Sequence, residues 1–365
     1  MQPNDEVRVM KLRKISAHLA LAWALIMCSL VSCWHFAAAA GGPGSGPSIY
    51  NAALDNPAYP KDTVDAQLKK LTAGAWLMID AETGKVLSSK NPDKRMYPAS
   101  MTKMMTCILA CESGRLNETV TISSAAAAVS YGNVKKGERY KLHDLLYRVM
   151  LPSDNGAAHA VGEFLCKDSV TFAMMMNEKA KQIGMTSTNF VNAHGLPDDN
   201  HYTTATDMMC LMRYCMRNKT FAEIVSHSKY DIKTLAGTNI HLKNTNKLFG
   251  RYEGCIGVKT GTTRAAGGCL ASAVVRNGMK IYLVIMKCEP ARERTDESIV
   301  LYNKGFEMLK EFSRTGKNRN NRNGAPGYNR GSSRDTRDVP RPKNNSLHHD
   351  ELLKQQQEHV PLRRR

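Results

Sequence analysis

The chain has 365 residues, of which 42% are apolar and 23% charged, ordinary proportions for a soluble globular protein. They exclude a chain too polar to build a core, and the length suits one large domain or two small ones. The formal charge of +18 is less ordinary and is uneven, because residues 313–365 carry thirteen Lys or Arg against five Asp or Glu.

Residues 1–40 read as a signal peptide, with Met10 as an alternative start. Lys11, Arg13 and Lys14 form a basic n-region, residues 15–40 are apolar and small, and Ala38-Ala39-Ala40 fits the small-x-small cleavage rule. Leu30-Val31-Ser32-Cys33 offers a second reading as a lipoprotein box with Cys33 lipidated, and an uncleaved anchor is a third. All three place the folded part outside the cytoplasm, in a periplasm or on the outer face of a cell envelope. Residues 41–53 open with GGPGSGPS and read as a flexible linker.

The folded domain is expected over 54–312. AWLMID, the turn AETG and KVLSSK predict a β-hairpin over 75–90. A helix is predicted from near Pro98, a short strand over 119–122, and helices over 142–150, 155–165, 170–183 and 207–217. CLASAVV and MKIYLVIM, joined through Asn277-Gly278, predict a strong hairpin, and 298–312 an amphipathic helix. Strands at both ends with helices between predict a mixed α/β (α+β) fold: one central antiparallel sheet built from both ends, flanking helices and an inserted helical subdomain. From residue 313 the apolar pattern stops and Asn, Arg, Gly, Ser and Pro dominate, which predicts a basic disordered tail over 313–365.

Of ten cysteines, Cys28 and Cys33 lie in the targeting segment. No CxxC or Cys/His spacing for a metal appears, and no metal or organic cofactor is expected. Cys107 and Cys111 share a helix face and are expected to pack as small hydrophobes. Cys255 and Cys269 flank a turn, and a disulfide across that hairpin is a candidate pairing.

Three short motifs stand in order: Ser100-Met101-Thr102-Lys103, Ser153-Asp154-Asn155 and Lys259-Thr260-Gly261. Each alone is weak; together they point to nucleophilic catalysis. Ser100 and Lys103 share a helix face. A serine hydroxyl needs a base, and a lysine serves only if burial or a second cation keeps its amine neutral. Lys259 is a candidate for that cation. The competing reading of Ser100 and Lys103 is a capping serine and a snorkelling lysine. Ser153 can relay a proton to a leaving amine, and Asn155 can bond a substrate amide or hold Lys103; the plainer reading is that the stretch caps the next helix. Residues 257–262 read as an edge strand able to pair with an extended peptide, with Lys259 and Thr260 meeting its carboxylate and Gly261 allowing close approach. The backbone N–H groups of Ser100 and Thr262 are candidate oxyanion donors.

Beyond the triplets, MIDAETGKVLSSKNPDKRMYPASMTKMMT, DLLYRVMLPSDNGAAHAVGE, MNEKAKQIGMTSTNFVNAHGLPDDNHYTTATDM and GVKTGTTRAAGGCLASA resemble the serine D-alanyl-D-alanine carboxypeptidases, the low-molecular-mass penicillin-binding proteins. The resemblance covers roughly residues 70–312 and implies a β-lactamase/transpeptidase-like fold. It implies Ser100 as the acylated nucleophile, Lys103 as proton acceptor, Ser153 and Asn155 as the second element, and Lys259, Thr260, Gly261 and Thr262 as the substrate-binding strand. Arg294, within ARERTDES, stands where the family has an arginine that helps hold the terminal carboxylate. Many relatives carry a separate β-rich domain and a C-terminal amphipathic membrane helix; here the basic tail begins soon after Phe312, so neither is expected. The spelling Ser-Asp-Asn is common in class A β-lactamases, but those need a glutamate thirty-odd residues further on, and none lies between Glu178 and Glu223.

The expected activity is removal of the terminal D-Ala from peptidoglycan stem peptides through an acyl-enzyme, with β-lactams as inhibitors. A DD-endopeptidase, a class A-like β-lactamase and an inactive wall-binding protein are the rivals, in that order. Nucleic acid is not an expected partner of an exported chain. The tail is expected to meet anionic wall polymers or lipid head groups, or to be a solvated linker without a partner.

Overall fold

The computed structural model describes residues 68–322, so the targeting segment, the Cys33 box, the linker and the tail beyond Arg322 lie outside the described residues. Five strands form the main sheet: β1 (Ala75–Asp80), β2 (Val86–Lys90), β7 (Cys255–Thr263), β8 (Gly267–Arg276) and β9 (Met279–Cys288). Their order is β2-β1-β9-β8-β7, antiparallel throughout, so the N-terminal hairpin adds to the C-terminal meander and β7 is an edge strand. At the β8–β9 turn Asn277 and Gly278 both hold positive φ, 51° and 74°, as a tight two-residue turn requires.

Both faces of this sheet are covered, which is why its strands read as near-continuous apolar runs. Period-two alternation sends Ala75, Leu77 and Ile79 of β1, with Tyr282, Val284 and Met286 of β9, into the larger core among the helices. Trp76 and Met78, with Ile281, Leu283 and Ile285, face the other way, onto Leu301, Tyr302, Phe306 and Leu309 of the C-terminal helix.

Between β2 and β7 lie seven helices: α1 (Lys103–Glu112), α2 (Ser124–Ala128), α3 (Leu142–Met150), α4 (Asn155–Cys166), α5 (Ser169–Gln182), α6 (Ala205–Cys215) and α7 (Lys219–Ser226). Five of them start on a side chain that accepts the amide three residues on: Ser123, Asp154, Asp168, Thr204 and Asn218. Every residue of α1 from Lys103 to Ala110 is buried, its methionines included, so this helix runs through the centre of the core. Two small sheets complete this region: β3 (Thr119–Thr121) with β4 (Arg139–Lys141), and the hairpin of β5 (Lys229–Lys233) with β6 (Asn239–Lys243).

The last helix, α8 (Arg294–Arg322), runs past Phe312, where the apolar pattern ends; once a helix is nucleated, each further residue adds a bond at little cost. No helix among the described residues is long and apolar enough to cross a membrane. The expected Cys255–Cys269 pairing is not made. In the β7–β8 register Cys255 lies opposite Val274 and Cys269 opposite Gly261, several rungs apart, and both thiols are free. Flanking a turn did not place them on one rung.

Candidate active site

Ser100 does not sit in α1 itself. It lies in a 3-10 turn, Ala99–Thr102, that leads into the helix, and Lys103 is the first α-helical residue. Side chains three apart eclipse in a 3-10 turn, which aligns this pair more closely than an α-helix would. Lys103 Nζ is 3.0 Å from Ser100 Oγ. Its other two partners are Asn155 Oδ1 at 2.6 Å and the carbonyl oxygen of His194 at 2.8 Å.

Those partners define what the lysine can do. Two are carbonyl oxygens, which only accept; the third is a hydroxyl, which also holds a proton. A neutral amine has two N–H bonds and one lone pair. Spending the two N–H on Asn155 and His194 aims the lone pair at Ser100. The environment favours that neutral form. Lys103 is fully buried, and burial first, then the nearby charge of Lys259, push its pKa well below 10.5, against a smaller opposing pull from Asp154.

The second motif divides its work among three residues. Asp154 is structural: it caps α4 through Ala157 N–H, accepts Asn133 N–H at 3.0 Å, and pairs with buried Arg148 at 2.9 Å. Asn155 opens α4, holding Lys103 with its oxygen and donating its amide N–H to Ser130 O at 2.7 Å. Ser153 adopts the left-handed φ of 66°, and its Oγ is buried with no hydrogen-bond partner among the described residues.

The third motif lies on the edge strand, against the serine turn. A Cβ on Gly261 would sit 3.0 Å from Pro98 O and 3.1 Å from Ser100 N, so glycine lets strand and turn touch. Lys259 is buried, donates to Thr260 O at 3.0 Å, and is lowered to about 7 by burial and then by Arg294. Thr260 Oγ1 is 2.6 Å from Thr245 Oγ1. Arg294, at the start of α8, donates to Gly261 O at 3.1 Å and to Thr262 Oγ1. Direct contacts thus join Ser100 to Lys103, Lys103 to Asn155, Gly261 to the serine turn and Arg294 to the Gly261–Thr262 stretch, and the nine expected residues come from four separate stretches of chain.

Two contributors were not anticipated from the residues. The His194 carbonyl has no sequence signature, since every residue has one. Thr245 follows the β5–β6 hairpin, and its amide bonds Leu151 O at 3.0 Å beside the second motif; nothing in its immediate neighbours marks it.

Comparison with known proteins gives the family. A family model described as D-alanyl-D-alanine carboxypeptidase, peptidase S11, matches residues 61–289. The D-alanyl-D-alanine carboxypeptidase DacF of Bacillus subtilis (strain 168) is 31% identical over 61% of this chain and 59% of its own length. DacB2 of Mycobacterium tuberculosis is 30% identical over 66% of this chain and 84% of its own. Among solved structures, the Streptomyces K15 DD-transpeptidase superposes with a TM-score of 0.61 at 28% identity, covering 65% of this chain and 98% of that one. DacD of Francisella tularensis gives 0.61 at 28% identity, over 67% and 73%. The chain thus spans about three fifths of the length of the first curated relatives it matches. With the family model covering well over half of its residues, the chain belongs to the peptidase S11 family, the D-alanyl-D-alanine carboxypeptidases.

Proposed function

We propose that this chain is a serine D-alanyl-D-alanine carboxypeptidase that removes the terminal D-Ala from peptidoglycan stem peptides. One observation carries the reading: Lys103 Nζ is buried 3.0 Å from Ser100 Oγ, and its two remaining partners are pure acceptors. That is a base assembled beside its nucleophile without a histidine.

The stem peptide lies extended along the outer edge of β7, its terminal carboxylate facing Lys259, Thr260, Thr262 and Arg294. Ser100 Oγ attacks the carbonyl of the penultimate D-Ala as its proton passes to Lys103 Nζ. Negative charge grows on the carbonyl oxygen toward the N–H groups of Ser100 and Thr262. The C–N bond then breaks, and the departing D-Ala amine takes the proton held by Lys103, relayed through Ser153, which returns the lysine to its neutral form. Its unpartnered hydroxyl supports that role, because an incoming amide group supplies the bond it lacks. Water, activated by Lys103, hydrolyses the ester and restores the serine. A β-lactam presents a strained amide and a carboxylate to the same groups and acylates the same serine.

Export is part of this proposal, since the substrate lies outside the cytoplasm; the basic n-region, apolar run and Ala38-Ala39-Ala40 support it, with lipidation at Cys33 the variant form. The basic residues of 313–365 suit anionic wall polymers or lipid head groups.

The test is mass spectrometry of the protein after a labelled penicillin, together with D-Ala release from a pentapeptide. A penicilloyl group on Ser100 and stoichiometric D-Ala are expected. No label, or a label elsewhere, overturns the reading. Split cross-linked dimers with intact pentapeptide would move it to an endopeptidase.

A further inference from the structure

Behind the serine turn runs a directed chain of hydrogen bonds that the chemistry above does not use. Val191 N–H donates to His201 Nδ1 at 3.2 Å, so that nitrogen holds the lone pair and the ring proton is on Nε2. Nε2 lies 2.8 Å from Thr102 Oγ1. With its oxygen accepting there, the Thr102 hydroxyl donates onward to Ala99 O at 2.9 Å. His201 and Thr102 are both buried. Burial holds the imidazole down at about 4, so it stays neutral and keeps this tautomer through the working pH range.

The endpoint of the chain gives it chemical meaning. The Ala99 carbonyl and the Ser100 N–H belong to one planar peptide group. A hydrogen bond accepted by the oxygen draws density from the nitrogen and makes its N–H a stronger donor. That peptide also needs holding. Ala99 has a left-handed φ of 47°, which residues with a Cβ rarely adopt. On the other side Gly195 closes the space, for a Cβ there would lie 1.9 Å from Ala99 O. The carbonyl is boxed between a glycine backbone and the Thr102 hydroxyl.

We propose that His201 is a positioning residue for the oxyanion hole: acting through Thr102, it orients and polarises the Ala99–Ser100 peptide, whose N–H meets the negative charge developing on the substrate carbonyl. This rests on the reading of Ser100 as the nucleophile.

Four variants separate the bond from the bulk. His201→Gln can return an amide N–H to the place of Nε2, whereas His201→Asn keeps only an acceptor for Val191. Thr102→Ser keeps the hydroxyl; Thr102→Val keeps the shape without it. The readouts are acylation by a labelled penicillin, affinity for a peptide boronic acid that forms a tetrahedral adduct on the serine, and KM for a peptide thioester. His201→Asn and Thr102→Val should lower acylation rate and boronic-acid affinity by about tenfold, less than direct loss of an oxyanion donor costs. With acylation limiting turnover, KM should move less than about twofold, since ground-state binding is untouched. The double variant should be no worse than either single, and Gln and Ser should restore most of the loss. Folded Asn and Val variants acylated at the wild-type rate would overturn the proposal, as would a uniform loss across all four. If His201→Asn does not fold, the Thr102 pair decides alone. A wild-type protein not acylated at Ser100 refutes the underlying reading instead.

Discussion

Lys103 Nζ and Asn155 Oδ1 are 2.6 Å apart, and this bond joins the first motif to the second. It also fixes which way the lysine faces, because Asn155 can only accept at that oxygen and its N–H is committed to Ser130 O. An amide is the right partner for a neutral amine. A carboxylate in its place would favour the ammonium form instead.

Asn155→Asp should therefore raise the Lys103 pKa from its depressed value. A raised pKa means that a higher pH is needed to free the base, so the acid limb of the penicillin acylation profile should move alkaline by about one unit or more. Near pH 7 the rate should fall by about tenfold or more while it recovers at higher pH. Stopped-flow acylation across the pH range checks this; an unmoved acid limb would show that Lys103 is not the group titrating.

Ser153 holds a left-handed φ of 66° and a buried hydroxyl with no partner among the described residues, so the fold gains nothing from its side chain. Ser153→Gly relieves the backbone and should leave stability unchanged or raised by roughly 0.5–1 kcal/mol. D-Ala release should nevertheless drop by about a hundredfold, the ordinary worth of a general acid. Thermal melts beside turnover measure the split. A parallel loss of both would mean that the residue is structural.

Lys259 is lowered to about 7, by burial and then by Arg294. Below that value it is charged and can meet a carboxylate; above it the free protein must take up a proton to bind one. Affinity for a D-Ala-D-Ala peptide should weaken as pH rises from about 7 toward 9, with proton uptake visible by calorimetry in buffers of different ionisation enthalpy. The carboxamide-capped peptide should bind weakly and without this dependence. The same group shapes stability. Between about 7 and its ordinary 10.5 the unfolded chain carries one more proton here than the folded chain, so this contribution to stability rises with pH across that window. Flat binding from pH 6 to 9 for both peptides would remove Lys259 from the carboxylate site.

Much of this was legible beforehand, for physical reasons that differ by residue. Ser100 and Lys103 could be paired because helical spacing sets their distance whatever surrounds them. The sheet could be assembled from both ends because strands covered on two faces are continuously apolar, as AWLMID and MKIYLVIM are. The β5–β6 hairpin was not foreseen: KYDIK and NIHLK are short, mostly exposed and end on lysine, and carry little burial signal. Arg294 entered through resemblance alone, since an arginine at a helix start says nothing by itself. The left-handed Ala99 was out of reach, because alanine does not favour that conformation and tertiary contacts impose it. Asp154 looked like a cap and is one; its buried pairing with Arg148 depends on a helix whose position only the fold supplies.

That pairing yields a stability prediction. Arg148 and Asp154 are both buried, with Nε and Oδ2 2.9 Å apart, and Arg148 also donates to Tyr140 OH at 2.9 Å. Arg148→Met strands the carboxylate and should cost about 3–5 kcal/mol, measurable by urea unfolding. Because Asp154 also holds Asn133 N–H and the start of α4, acylation should fall as well. Arg148→Met with Asp154→Leu removes both charges and should recover a large part of the stability but not the activity. A single variant within about 1 kcal/mol of wild type would show the pair to be solvated rather than buried.

Gly261 gives the sharpest geometric test of the cleft. It is glycine for room, not for conformation: its backbone needs no positive φ, but a Cβ would come within 3.0 Å of Pro98 O and 3.1 Å of both Ala99 Cβ and Ser100 N. Gly261→Ala must therefore push the edge strand and the serine turn apart by a few tenths of an ångström. β7 is held on its other side by β8 over the whole Lys259–Thr263 stretch, so the fold should survive with a loss of about 1–3 kcal/mol. Catalysis is less tolerant than folding, because the candidate oxyanion donors sit on the two parts being separated, Ser100 on the turn and Thr262 on the strand. Acylation should drop by about a hundredfold, comparable to losing one oxyanion donor. The hydrogen bonds of Lys103 Nζ run to Ser100, Asn155 and His194 and none to β7, so its pH profile should keep its shape while the plateau falls. A plateau within about threefold of wild type would mean that strand and turn do not share the oxyanion, and Thr262 would have to be dropped as its second donor.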